Sequence, residues 1–134
     1  MDKSIRLTPE QVKIYDYFTS GNPKPNRIVV LRGAAGTGKS FVLSQIVKDY
    51  KGSVLVTATT HKAKNNLQTS IGVKAYTTHS ALGFNMTRNG IEQYLSDIRE
   101  PIEADLLIID EMSMLPNKVY QKALNGSYKR ILLV

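Results

Sequence analysis

The sequence specifies an α/β protein in which a parallel sheet is flanked by helices. Short aliphatic and β-branched runs alternate with stripes of helical period, the pattern of strand–helix–strand crossovers and so of parallel pairing. A glycine-rich turn joins the first run to the helix after it, and a later run ends in two adjacent acids. That places carboxylates at the sheet edge where open α/β folds bind ligands.

Thr8-Pro9-Glu10-Gln11 starts the first helix, with Thr8 as N-cap, Pro9 at N1 and Gln11 closing a capping box. Val12, Tyr15 and Phe18 give it an apolar stripe, and Gly21-Asn22-Pro23 stops it. Residues 27–32 form a short buried strand. In the next helix, Leu43, Ile46, Val47 and Tyr50 lie at i, i+3, i+4 and i+7. Residues 53–58 make a second strand, and residues 60–71 a crossover helix ending near Gly72. Asn89-Gly90 is a strong hairpin turn, because both positions accept φ > 0. It would pair Arg88 with Ile91, Met86 with Gln93 and Phe84 with Leu95; a helix over residues 91–98 competes with it. Residues 105–109 are a strand, residues 116–124 a helix with Pro116 near N1, and residues 130–134 a fourth strand.

The chain has 134 residues, 42% of them hydrophobic, which fits one domain with one core. It has no cysteine, which excludes a disulfide framework and thiolate metal sites. No run approaches a membrane span, and the N-terminus lacks the apolar core of a secretion signal. A reducing, intracellular setting is therefore expected.

The net charge is +7, which favours phosphate-rich partners. Its distribution is uneven. No acid stands between Tyr50 and Ile91, where Lys51, Lys62, Lys64, Lys74 and Arg88 lie. From Glu92 to Glu111 seven acids face Arg99 alone. The acid-free stretch is either a solvated surface or a polyanion track, where each cation near a phosphate releases counterions.

Gly33-Ala34-Ala35-Gly36-Thr37-Gly38-Lys39-Ser40 matches the phosphate-loop pattern G-x-x-x-x-G-K-[ST]. Glycines let backbone N–H groups turn inward where a Cβ would block a phosphate. The helix that follows presents its N-terminal N–H groups and dipole to the same anion. Lys39 is placed for the β- and γ-phosphates and the Ser40 hydroxyl for Mg²⁺. Leu106-Leu107-Ile108-Ile109-Asp110-Glu111 reads as the second acidic motif of this P-loop NTPase class. Asp110 holds Mg²⁺ through its water shell and Glu111 polarises the attacking water. An adjacent glutamate suits hydrolysis better than transfer to a small acceptor.

With these motifs in order, the chain resembles the beginning of a superfamily 1B DNA helicase, of the RecD-like and phage Dda-like kind, over about residues 7–134. The resemblance implies a RecA-like first motor domain using ATP and Mg²⁺ on single-stranded DNA, with 5′-to-3′ movement. Leu7-Thr8-Pro9-Glu10-Gln11 resembles the family's Q motif, whose glutamine reads the adenine edge; the capping box competes for the same Gln11 side chain. Thr57-Ala58-Thr59-Thr60-His61-Lys62-Ala63-Lys64 resembles motif Ia, which lines the single-strand channel and implicates Thr60, His61 and Lys64. Thr59 stands where the family usually has a proline. Tyr76-Thr77-Thr78-His79-Ser80 resembles a second DNA-facing segment and implicates Thr77, His79 and Ser80. N-cap and surface roles are the competing readings for Thr60 and His61. Residues 83–100 fall where the family inserts its small 1B element, and Phe84, Met86 or Tyr94 would there offer a stacking contact unless they pack locally.

Four further expectations follow from the resemblance. The sheet order is strand 53–58, strand 105–109, strand 130–134, strand 27–32. The chain stops before the family's Gly-Asp-x-x-Gln motif and arginine finger, so it is expected to be an incomplete motor domain. It should bind Mg·ATP, hydrolyse it slowly and unwind nothing alone. Two rival functions share the phosphate loop: another P-loop ATPase, such as a helicase loader or AAA+ module, and a non-catalytic nucleic-acid-binding remnant.

Overall fold

The computed structural model describes residues 9–19, 26–32, 39–89, 92–97 and 99–134. Five parallel strands form one sheet in the order β1-β7-β6-β2-β3. These are β1 (Ile28–Val30), β2 (Val54–Ala58), β3 (Tyr76–Thr77), β6 (Leu106–Asp110) and β7 (Arg130–Leu133). The four predicted strands lie in the predicted order, with β7 between β1 and β6. The edge strand β3 was not anticipated, since two residues are too few to show a period.

Strand alternation sorts the core into two layers. Leu106 and Ile108 of β6 and Leu132 of β7 face one way, against α1 (Pro9–Thr19), α2 (Lys39–Asp49) and α3 (His61–Ile71). Leu107, Ile109, Ile131 and Leu133 face the other way, against α5 (Asn117–Asn125) and the short helix α4 (Thr78–Ala81). Residues 106–109 are all 0% exposed, as expected of a parallel strand covered on both faces.

Helix details follow local chemistry. Thr60 caps α3, its hydroxyl accepting from the Ala63 N–H at 3.1 Å. Gly72 ends α3 with φ 81, and its N–H bonds the Gln68 carbonyl. Pro116 is the N-cap of α5 rather than its first helical residue. In α1, Tyr15 and Phe18 of the expected stripe meet the core, whereas Val12 is 37% exposed and Ile14 and Tyr17 join the buried face instead. Arg130 explains the rotation. Its buried guanidinium lies 4.1 Å from the Phe18 ring centroid and 4.8 Å from that of Tyr17, and it donates to the Tyr17 carbonyl. A cation on β7 thus selects which side of α1 docks.

β4 (Phe84–Asn89) and β5 (Glu92–Asp97) form the antiparallel hairpin, which excludes the competing helix. The register corrects the expectation. Met86 pairs with Leu95 and Phe84 with Asp97, and Asn89, expected in the turn, pairs with Glu92. The slip is two residues, which preserves the inside–outside alternation; a slip of one would invert it. The neck of the hairpin fixes the register, because the Arg99 N–H bonds the Gly83 carbonyl at 3.2 Å and the Ile102 N–H bonds the Ala81 carbonyl at 2.8 Å. Phe84 is 3% exposed within the core, so it packs locally; the Met86 and Tyr94 side chains lie outside the described residues. Among the described residues, no helix is long and apolar enough to cross a membrane.

Candidate nucleotide cleft and nucleic-acid groove

Residues 33–38, the body of the phosphate loop with Gly33, Ala34, Ala35, Gly36, Thr37 and Gly38, lie outside the described residues, as does Thr8. The flanking residues are placed. Leu31 and Arg32 follow β1, and Lys39 and Ser40 open α2. Lys39 shares a cleft of about 320 Å³ with Leu31, Arg32, Asp110, Glu111 and Val134. The cleft therefore lies at the carboxyl ends of β1, β7 and β6, beside the sequence motif that binds phosphate. Gln11 sits in the first turn of α1, half-buried, and is not among the described residues that line this cleft.

Asp110 ends β6 with its carboxyl half-buried. Burial raises its pKa above the usual carboxylate value, opposed by a bond from the Glu111 N–H, raised further by the Glu111 charge and lowered by Lys39. That bond measures 2.9 Å. A divalent cation fits this site, since it would offset the desolvation of Asp110, and Asp110, Glu111 and Ser40 are hard oxygen donors. Among the described residues, no group of three or more His, Asp or Glu could hold a metal alone. That agrees with an ion bound by one or two carboxylates, phosphates and water, as Mg²⁺ usually is.

The backbone of Glu111 is left-handed, at φ 61 and ψ 49. Four bonds surround it. Besides its own N–H bond, the Met114 N–H donates to the Glu111 carbonyl, the Met112 N–H to the Val134 carbonyl, and the Thr59 hydroxyl to the Glu111 carbonyl at 3.0 Å.

On the other side of β6 lies a groove of about 760 Å³. Thr60, His61, Thr77, His79 and Ser80, five of the six expected DNA-facing residues, line it together. Two segments 16 residues apart in sequence meet here because β2 and β3 are neighbours, with Ala58 beside Thr77. Lys64 does not line the groove; it lies one turn along α3. The His61 and His79 rings meet edge to face, with centroids 6.3 Å apart. Burial, and next the charge of His61, lower the His79 pKa below its ordinary value. Thr60 is both an N-cap and a groove residue: its oxygen accepts from α3, which leaves its O–H to donate.

Groove residues not anticipated from the sequence include Asn85, Arg99, Met114, Leu115, Pro116 and Val119. Arg99 donates to the Ser80 carbonyl at 3.2 Å and to the Ser80 hydroxyl at 3.1 Å. Its signal was present, as the lone cation in an acidic stretch, but nothing in the sequence places the hairpin neck against α4.

The AAA domain family matches residues 22–134. The ATP-dependent RecD2 DNA helicase of Deinococcus radiodurans is 35% identical over 112 residues, which cover 81% of this chain and 14% of that protein. The ATP-dependent DNA helicase PIF1 of Xenopus laevis is 29% identical over 128 residues, 91% of this chain and 19% of that protein. The chain thus spans less than a fifth of the length of either relative. Among solved structures, Pif1 helicase from Bacteroides superimposes with a TM-score of 0.67 at 21% identity, over 98% of this chain and 32% of that one.

Proposed function

From the premise that this chain belongs to the AAA domain family, with the fold and motif order of a superfamily 1B helicase first motor domain, we propose that it binds Mg·ATP in the Lys39 cleft and single-stranded DNA in the His61–His79 groove. In the larger protein, ATP hydrolysis would then drive DNA unwinding. One observation carries the reading: Ala58 of β2 pairs with Asp110 of β6. The acids of the nucleotide cleft and the threonines of the groove therefore stand on adjacent strands, at the same end of the sheet.

The residue roles follow from chemistry and position. Lys39 neutralises the β- and γ-phosphates, within reach of Asp110. Ser40 and Asp110 hold Mg²⁺, which supplies neutralisation of phosphate charge. Glu111, exposed beside Asp110, orients the attacking water. The loop 33–38 cradles the phosphates through its backbone, and Gln11 reads the adenine edge. Thr60, Thr77 and Ser80 donate hydroxyl hydrogen bonds to the strand's phosphates. His61 and His79 contribute donors, and Lys64 adds charge nearby. Among the structural neighbours, Bacteroides Pif1 is bound to single-stranded DNA in one structure and in complex with ADP-AlF4 in another; both ligands suit the present proposal.

The test is nucleotide binding and ATP turnover by this chain, with and without an oligo(dT) strand, beside Lys39→Ala. Nucleotide binding lost in Lys39→Ala, together with oligo(dT) binding, supports the reading. Slow turnover is expected, since the chain spans less than a fifth of the length of either helicase relative. Preference for duplex over single strand would refute the single-strand groove. Strand affinity indifferent to nucleotide and to Lys39→Ala would refute the coupling of the two sites.

A further inference from the structure

Thr59 stands between the two sites and touches both. It lines the groove beside Thr60 and His61. Its N–H donates to the Asp110 carbonyl at 3.2 Å, and its hydroxyl donates to the Glu111 carbonyl at 3.0 Å. No other groove side chain has a described hydrogen bond to either acid. A valine here would keep the N–H and the shape but lose the hydroxyl; a proline would lose both donors.

What the hydroxyl holds is an uncommon conformation. Glu111 is the only non-glycine residue with positive φ among the described residues. Left-handed backbone is disfavoured for a residue with a Cβ and persists where neighbouring bonds over-determine it. The bonds from the Met114 N–H and to the Asp110 carboxylate arise within residues 110–114, and the Met112 N–H holds the other side of the same peptide to the Val134 carbonyl at the end of the neighbouring strand. Met114, which also lines the groove, reaches the Glu111 carbonyl through its backbone, and Thr59 is the groove residue whose side chain does so among the described residues. Rotation of that peptide redirects the Cα–Cβ bond of Glu111, and with it the carboxylate.

We propose that Thr59 is a positioning residue that couples the groove to the hydrolytic site. A strand phosphate seated against Thr60 and His61 shifts the 59–61 turn, and the Thr59 hydroxyl passes that shift to the Glu111 carbonyl. The inference rests on the function proposed above and adds the link between its two halves. No covalent step is involved; the device is a hydrogen bond whose geometry both ligands bias.

Thr59→Val and Thr59→Ser are compared with wild type in three measurements: affinity for a fluorescent ATP analogue, affinity for oligo(dT), and ATP turnover with and without oligo(dT). Thr59→Val should bind both ligands within about twofold of wild type and keep its KM for ATP. Its stimulation by oligo(dT) should fall at least about fivefold in kcat, because a coupling free energy acts only on the difference between bound states. Thr59→Ser, which retains the hydroxyl, should restore the stimulation. Stimulation unchanged in Thr59→Val overturns the proposal. So does loss of ligand binding in that variant, which would make the bond merely structural, and so does a wild type that binds both ligands but is not stimulated. A wild type that binds neither nucleotide nor oligo(dT) refutes the proposed function itself, and is recognised before any variant is made.

Discussion

Substituting Thr57 by valine probes how the groove is fixed to the sheet. Thr57 is 0% and Thr78 1% exposed. The Thr78 hydroxyl donates to the Thr57 hydroxyl at 3.0 Å, which donates in turn to the Ile108 carbonyl at 2.8 Å. This relay pins α4, the carrier of His79 and Ser80, to β2 and β6. Thr57→Val changes shape little, so no cavity term enters. It removes one bond worth about 1 kcal/mol and strands the buried Thr78 O–H at a further ~1–2 kcal/mol. The buried methyl returns roughly 0.8 kcal/mol, leaving a loss of about 2 kcal/mol. Thr78→Val removes a donor but leaves Thr57 bonded to Ile108, and should cost under about 1 kcal/mol. The double variant strands no hydroxyl, so it should be about 1 kcal/mol more stable than the sum of the single losses predicts. Urea unfolding at constant m-value measures all four proteins, and Thr57→Val should melt several degrees lower. Additive losses in the double variant, or a Thr57→Val loss below about 0.5 kcal/mol, would refute the relay.

Three other outcomes are expected. Arg99→Ala should lower oligo(dT) affinity and flatten its log–log salt dependence by about 0.7, the slope of one single-strand phosphate contact; Arg99→Lys should keep the slope but lose the paired hold on Ser80. Gly83→Ala should destabilise the chain by roughly 2–4 kcal/mol in urea titration, because its backbone sits at φ +92 and a Cβ would lie 2.0 Å from the Arg99 carbonyl oxygen. His79 binds its proton more weakly in the folded chain than the ordinary value of 6.5. Its contribution to stability is therefore present above that value and lost as pH falls below it, and His79→Gln should flatten this part of the stability–pH curve.

The sheet was legible because its strands are apolar on both faces and are punctuated by glycine and acids. Residues 106–109 announce burial by composition alone, and the acids after them announce the strand's carboxyl end. The phosphate-loop pattern stands out for another reason: the chemistry it is proposed to serve demands fixed spacing. What could not be read was set by contacts distant in sequence. Val12 belongs to a plausible stripe on α1, yet Arg130, 118 positions later, draws Tyr17 and Phe18 inward. Asn89-Gly90 is a good turn, but the Gly83–Arg99 crossing at the open end of the hairpin sets the register from the other side. Thr59 looked like a departure from the usual residue; only the neighbouring strand reveals that its hydroxyl has a partner.

The same topology would let the proposed coupling run through little machinery. Because β6 pairs with β7 on one side and β2 on the other, Asp110 and Glu111 line the Lys39 cleft and stand one hydrogen bond from the groove. The proposed nucleotide cleft is lined by both acids, with Lys39 among its other lining residues. The groove reaches their carbonyl groups, through Thr59. A single peptide thus presents its side chain to one ligand site and its backbone to the other. Movement there need not travel through the core, whose buried side chains on β6 and β7 are fully enclosed and resist small displacements. If Thr57 and Thr78 hold the groove wall fixed while Thr59 alone transmits, Thr57→Val should weaken stability and oligo(dT) binding together. Thr59→Val should leave both in place and uncouple turnover. The two threonines on either side of Ala58, one in the strand and one just past its end, would then separate cleanly by assay, one structural and one regulatory.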